Sequence, residues 1–344
     1  MIEKLTDSSE ISFAKSARRI SFSAIQPSGA ITLGNYLGAV RSWTDLQRTH
    51  SCIFAIADCH AVTVPKEPHY LRSSVRNLLA TLLACGISPD ESLLFLQSTV
   101  SHHTQLGWLL ECNTQYGELR RMTQFKSKSQ QNENFGVGLF TYPCLMAADI
   151  LLYNTDDVPV GTDQTQHVEF ARNVAQRFNS RFGETFKLPE PMFPKNGAKI
   201  MSLTDPSRKM SKSSDNSSSY ILLCDHADLI VQKIKGAVTD SGNQIKYIEG
   251  KGGLNNLIVI YSCLSGLSFE QISFEFEGKG YGTFKSRLAE IIVSEFEPIQ
   301  REYSRLIECA DYLETCVRRG AESARKLAQP MLERAMYAMG YWVP

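Results

Sequence analysis

Lys209-Met210-Ser211-Lys212-Ser213 sets two ammonium groups three residues apart, at the start of a serine- and lysine-dense stretch, 211–219. The stretch reads as a mobile loop, and two cations on such a loop suit a polyphosphate whose charge grows as a bond breaks. Thr32-Leu33-Gly34-Asn35 offers a complementary element near the start of the chain. Free N–H groups and the positive end of a helix favour phosphate there. Gly34 lets the backbone come close, and Thr32 and Asn35 can hydrogen-bond without adding charge. A third set is Tyr142, Met146 and Asp149, at i, i+4 and i+7 on one face of a largely apolar helix. A carboxylate on such a face must be paired or bonded. Arg120, Arg121, Lys126 and Lys128 form a basic segment, and His60 lies in Asp58-Cys59-His60-Ala61. Taken singly, each has a plainer reading: a capped turn, a solvated basic loop or helix face, a structural aspartate, a core histidine at a strand end.

The elements that would position these groups alternate. Ile20, Phe22 and Ala24 alternate with Ser21 and Ser23, which fits a first strand. A turn at Gln26-Pro27-Ser28-Gly29 leads to a helix over 34–50 with Leu37, Val40 and Trp43 on its inner side. Residues 52–57 are continuously apolar, as in a strand covered on both faces of a parallel sheet. The next helix has Pro68 near its start, Gly86 after its end, and apolar residues Leu71, Val75, Leu78, Leu79 and Leu82 at helical spacing. A short third strand is expected at 93–96. This β-α-β-α-β run is half of a doubly wound sheet, in which ligands bind beyond the carboxyl ends of the strands. From 102 to about 182 the pattern is mainly helical, with a short strand at 158–160. Helices are then expected at 228–238, 253–265, 269–276, 281–306 and 321–339.

The 344 residues suffice for two domains or one domain with an appendage. Lys+Arg and Asp+Glu both total 36, so the net charge is zero and any RNA contact must use local basic patches. No apolar run approaches the roughly 18 residues of a membrane helix. The first 18 residues read as a polar extension, with Glu3, Asp7 and Glu10 and no apolar core. Nine scattered cysteines without metal-ligand spacing read as reduced thiols, so no metal site is expected.

The TLGN element after the first strand, joined in order by KMSKS, resembles the paired signatures of class I aminoacyl-tRNA synthetases. Ile25-Gln26-Pro27-Ser28-Gly29, Gly34-Asn35-Tyr36, Gly117-Glu118-Leu119, Met122-Thr123-Gln124-Phe125-Lys126, Met146-Ala147-Ala148-Asp149-Ile150-Leu151, Val160-Gly161 with Asp163-Gln164, and Tyr281-Gly282 with Phe284-Lys285 are similar to the tryptophanyl-tRNA synthetases. The likeness runs from about Ile20 to Gly340, and the KMSKS form is that of the bacterial and organellar branch. Ala24 departs from it, since the family usually has Gly there; the polar extension has no assigned counterpart.

The resemblance implies an α/β fold, a doubly wound, Rossmann-like catalytic domain with a C-terminal all-helical domain. The expected boundaries are 1–18 for the extension, 19–205 for the catalytic domain, 206–315 for a helical anticodon-binding domain, and 316–344 for a last helix packing back. It implies ATP-dependent formation of tryptophanyl-adenylate and transfer to the terminal adenosine of tRNA(Trp), with Mg2+ carried on the phosphates. Implied ATP contacts are Gln26, Ser28, Gly34, Asn35, Gly161, Asp163, Ile200, Lys209, Met210 and Ser211. Implied catalytic groups are Thr32, Asn35, Lys128, Lys209, Ser211 and Lys212. Implied tryptophan contacts are Phe22, His60, Tyr142, Met146, Asp149, Val158, Val160 and Gln164, with Asp149 accepting the indole N–H. On this reading the carboxylate depends on the substrate for its partner, so a rival amino acid leaves it bare. A cytoplasmic homodimer with no membrane association is also implied. Three other readings share parts of the pattern: a tyrosine-specific synthetase, a non-catalytic paralogue that binds RNA or tryptophan, and a small-molecule nucleotidyltransferase. The MAADIL stretch, the two intact signatures and the C-terminal helical region argue against them in turn.

Overall fold

The computed structural model describes residues 18–129, 136–161, 164–193 and 199–343, with 127–129 given by backbone alone. Five parallel strands form one sheet in the order β3-β2-β1-β4-β5. They are β1 (Ile20–Ile25), β2 (Ser51–Ile56), β3 (Leu93–Leu96), β4 (Asp157–Pro159) and β5 (Glu190–Met192). Strand order reverses between β1 and β4, so a crevice opens at the carboxyl ends of those two strands.

β2 shows why the sheet is central. Cys52, Phe54 and Ile56 enter one apolar cluster, and Ile53 and Ala55 enter another on the opposite face. The first cluster is covered by α1 (Leu33–Asn35), which runs through a π turn at Tyr36–Val40 into α2 (Arg41–Leu46), and by α4 (Pro68–Ala84). The short α3 (Asp58–Ala61) follows β2. The second face is covered by α5 (His102–Glu111), α8 (Gly138–Leu151) and α9 (Thr165–Phe182), with α6 (Tyr116–Arg121) and α7 (Thr123–Ser129) between them in sequence. The expected alternation in β1 is only partly seen, because Ser21 and Ser23 are buried as well as Phe22. The strand is interior, and both serine hydroxyls lack a partner among the described residues. β5 was not expected; Glu190, Pro191 and Met192 carry no strand signal, and the proline sits on an edge, where its missing N–H is tolerated.

The C-terminal helices are α10 (Ala227–Gly236), α11 (Gly252–Ser265), α12 (Phe269–Glu275), α13 (Tyr281–Glu308) and α14 (Ala310–Ala338). Leu254, Tyr261, Phe284 and Phe296 of this region belong to the same apolar cluster as the sheet's first face. α14 starts eleven residues earlier than the periodicity suggests, so the expected boundary between 315 and 316 falls inside it. Its Ala324, Ala328, Met331, Leu332 and Ala335 join the second cluster. A Cβ on Gly320 would lie 1.9 Å from the Leu94 carbonyl oxygen, so α14 meets β3 backbone to backbone. Among the described residues no single helix is long and apolar enough to cross a membrane.

Candidate active site

The TLGN and KMSKS elements meet. A Cβ on Gly34 would stand 3.4 Å from Met210 Cβ and 3.5 Å from Ile200 Cβ, ordinary contact distances that place the two elements side by side. Met210 N–H donates to Ile200 O at 3.0 Å, Leu33 N–H to Ile221 O at 2.8 Å, and Leu223 N–H to Ile31 O at 2.9 Å. The backbone after KMSKS thus holds the start of α1, and Ile200 before it pairs with the motif itself. Thr32 and Asn35 form a capping box: Asn35 N–H donates to Thr32 Oγ1 at 3.2 Å and Thr32 N–H to Asn35 Oδ1 at 3.4 Å, with the Thr32 hydroxyl also donating to that oxygen at 2.9 Å. Thr32 is buried and its hydroxyl is committed to the cap, whereas Asn35 is exposed and keeps its amide N–H groups for a ligand.

Lys212 Nζ donates to Ala30 O at 3.0 Å, which lays it over the loop after β1. Burial, with Lys66 nearby, pushes its ammonium down to about 8. Lys66 carried no motif signal, yet it adds a cation to the same place. Lys209, Ser211, Gln26 and Ser28 are exposed around the crevice, Met210 and Ile200 are buried beneath it, and Tyr70 donates from its hydroxyl to Ser28 O at 3.4 Å. Ala24 is exposed at the end of β1, beside Ala55 of β2. On the β4 side Val158 is buried, Val160 is half-buried, and Gly161 is exposed. Asp163 lies outside the described residues. Lys128 is placed by backbone only, in α7.

The second constellation is apolar-walled. Phe22 of β1 stacks on Tyr153 with centroids 5.9 Å apart. Met146 and Val160 pack at the edge of the same cluster. Tyr142 Oη lies 2.6 Å from His167 Nε2, and burial pushes the Tyr142 phenol up to about 12. The His60 ring meets Tyr142 edge-on with centroids 6.3 Å apart. Gln164 caps the start of α9 in sequence and is half-buried.

Asp149 corrects one expectation. Its Oδ1 accepts from Gln97 Nε2 at 2.7 Å and from His103 Nδ1 at 2.6 Å, and its Oδ2 accepts from His60 Nε2 at 2.8 Å. The carboxylate has three protein donors without any substrate, so a rival amino acid does not leave it bare. Burial pushes its pKa up, but the hydrogen bonds from His103 and His60 outweigh burial and bring it down to about 2. His60 is both a satisfied core histidine and a neighbour of the candidate pocket. Gln97, His103 and Tyr153 were missed because the only sequence cue was an isolated His102-His103 pair.

All nine cysteines are free thiols. Among the described residues no three His, Cys, Asp or Glu side chains converge to hold a metal ion.

A family model described as "tRNA synthetases class I (W and Y)" matches residues 15–297. The chain belongs to this family of class I synthetases. Within it, the Tryptophan–tRNA ligase of Bacillus anthracis is 50% identical over 320 residues, covering 93% of this chain and 97% of the relative. The tryptophanyl-tRNA synthetase structure from Mycoplasma pneumoniae superposes with a TM-score of 0.88 at 36% identity, over 94% of this chain and 98% of that one. The Campylobacter jejuni enzyme, solved with ADP and tryptophan, gives a TM-score of 0.79 at 33% identity, over 94% and 99% of the two chains. The similarity is thus to tryptophanyl-tRNA synthetases of the bacterial type.

Proposed function

We propose that this chain is a tryptophan–tRNA ligase whose two constellations divide the work. One binds ATP at the Gly34–Met210 contact and the other binds L-tryptophan in front of Asp149. The meeting of Gly34 with Met210 and Ile200 carries the reading. It brings the phosphate-suited start of α1 and the two KMSKS lysines to the carboxyl end of β1.

The tryptophan carboxylate attacks the α-phosphate of ATP, and pyrophosphate leaves with the bonding pair. Asn35, Lys209 and Lys212 stabilise the charge that builds on the leaving phosphates, and Lys128 and Lys66 stand as further cations for the triphosphate. Thr32 acts through the cap that presents Asn35. Gln26, Ser28, Gly161, Ile200, Met210, Ser211 and Asp163 are assigned to the nucleotide. Phe22, Met146, Val158 and Val160 are assigned to the indole walls, Tyr142 and Gln164 to the ammonium and carboxylate, and Asp149 to the indole N–H. The cationic lining fits phosphates and not a bare metal ion, so Mg2+ belongs with the ATP phosphates.

In the second step the terminal adenosine 2′-hydroxyl of tRNA(Trp) attacks the acyl carbon, and AMP leaves. With zero net charge, tRNA must be held by local cations. A cleft of about 450 Å³ between α4 and α14 carries Arg72, Arg76, Arg318 and Arg325, and supports that requirement. The helices of 206–315 are assigned to the anticodon. We assign the chain to the cytoplasm. A homodimer is supported by an exposed apolar groove of about 300 Å³ that includes Val62, Trp108 and Leu145 and borders Tyr142.

Pyrophosphate exchange run with each amino acid tests the first step, with exchange expected for tryptophan far above tyrosine or phenylalanine. Aminoacylation of tRNA(Trp) with an altered anticodon tests the second. Equal charging of the native and altered tRNAs would remove the anticodon assignment.

A further inference from the structure

Asp149 is seated by side chains that belong to no signature motif. An ionised carboxylate only accepts hydrogen bonds, and each oxygen has about two places for them. Oδ1 has both taken, by Gln97 Nε2 at 2.7 Å and His103 Nδ1 at 2.6 Å. Oδ2 receives His60 Nε2 alone, at 2.8 Å, so it keeps one place. His103 is fully buried and cannot swing away. Its Nε2 lies 2.8 Å from the Tyr153 hydroxyl, and its ring packs on Phe95 and Tyr153 with centroids 5.5 and 5.6 Å apart. The Tyr153 hydroxyl has no other acceptor among the described residues, so its proton points at Nε2. That leaves the ring hydrogen of His103 on Nδ1, facing the carboxylate. Tyr153 in turn stacks on Phe22, a wall of the candidate indole pocket.

We propose that His103, seated by Tyr153, is a positioning residue for amino-acid selection: with Gln97 it closes Oδ1 of Asp149 and leaves Oδ2 as the oxygen that accepts the indole N–H. This rests on the assignment of Asp149 to the indole. It predicts a hydrogen-bond geometry that two residues outside the pocket motif enforce.

The test compares L-tryptophan with L-β-(3-benzothienyl)alanine, in which sulfur replaces the N–H at nearly the same shape. Pyrophosphate exchange with the full-length enzyme reads kcat and KM for both. His103→Leu opens a place on Oδ1 and lets the carboxylate turn. KM for tryptophan should rise roughly 10-fold, the size of one weakened charge-assisted hydrogen bond, with kcat changing much less. The preference for tryptophan over the sulfur analogue, in kcat/KM, should shrink by a similar factor. His103→Asn returns an N–H close to the Nδ1 position and should restore most of that preference. If His103→Leu does not fold, Tyr153→Phe carries the test, with a smaller loss of preference expected at an unchanged Tm. An unchanged preference in His103→Leu, or in Tyr153→Phe when that variant carries the test, overturns the proposal. So does an asparagine variant no better than leucine, or an equal loss on both substrates with a lowered Tm, which marks packing alone. Asp149→Ala run in parallel separates the two levels. If Asp149→Ala keeps the preference, the indole assignment itself fails; if it loses the preference while His103→Leu keeps it, only the role of His103 fails.

Discussion

Asp149 and Lys212 illustrate how burial acts differently on two charges. The Asp149 carboxylate is enclosed, yet three donors hold it ionised. Rejection of tyrosine and phenylalanine therefore cannot come from stripping that carboxylate. It comes from one missing hydrogen bond to a charged acceptor, about 1.5–3 kcal/mol or roughly 10- to 150-fold, together with the void a smaller ring leaves. Asp149→Ala should lower kcat/KM for tryptophan by at least about 10-fold and shrink discrimination against both rivals by a similar factor. Pyrophosphate exchange with the three amino acids, beside a thermal melt, checks this; an early melt with selectivity intact would reduce Asp149 to scaffolding. Lys212 goes the other way, its ammonium pushed down to about 8 by burial and by Lys66. It loses its proton as pH rises through that value, and with it the charge that stabilises the leaving phosphates. The kcat/KM profile for ATP should therefore fall on the alkaline side near pH 8, and Lys212→Arg should move that limb upward out of range. Lys212→Ala should cut adenylate formation by a factor on the order of 10²–10³ while equilibrium tryptophan binding changes little.

α1 is positioned by backbone hydrogen bonds and its cap, and α14 by a close backbone contact at a glycine. At Gly34 the chain approaches Met210 and Ile200, and the Thr32–Asn35 box fixes where α1 begins. From there α1 continues into a π turn whose Tyr36 hydroxyl donates to Glu295 Oε1 of α13 at 2.6 Å, while Arg41 Nε lies 3.4 Å from the same oxygen. One short helical run therefore touches the KMSKS loop at its start and the helical region further on. At Gly320 the contact is structural. Gly320→Ala would set a methyl 1.9 Å from the Leu94 carbonyl oxygen. α14 would have to shift away from β3, at a cost of about 1–3 kcal/mol or more. A lowered urea midpoint measures it, and an unchanged midpoint would mean that α14 yields without strain.

The sheet's first face and the C-terminal helices share one continuous apolar cluster, and α14 closes the second face. The helices assigned to tRNA are therefore packed directly onto the domain assigned to chemistry. In the groove beside Tyr142, Trp108 and Val62 are each 61% exposed, and Val137, next in sequence to its Gly138, is 76% exposed. An apolar surface of this kind beside Tyr142 fits a subunit contact. If the proposed homodimer uses this face, Trp108→Glu should shift it toward monomer in sedimentation velocity, because a carboxylate would have to be desolvated to form the contact. It should also weaken tryptophan activation if the groove supports Tyr142. A variant with an unchanged sedimentation coefficient would remove this face from the interface.

The order of strands and helices was legible in the chain because burial on both faces of a parallel sheet writes itself as apolar runs, seen at 52–57, and helices as repeats, seen along α4. The two phosphate-suited motifs were legible because their chemistry is local: a glycine, a capping pair and closely spaced lysines carry it wherever they fall. β5 was not legible, since Glu190-Pro191-Met192 is a strand only because β4 offers it an edge. Nor was the seat of Asp149. Gln97, His103 and His60 stand 52, 46 and 89 residues away along the chain. No spacing rule links them, and only the packing of α3, α5 and the turn after β3 around α8 brings their donors onto one carboxylate. Charge state follows the same division: the sequence names the ionisable groups, but the donors and neighbours that hold Asp149 ionised and draw Lys212 down exist only in the folded chain.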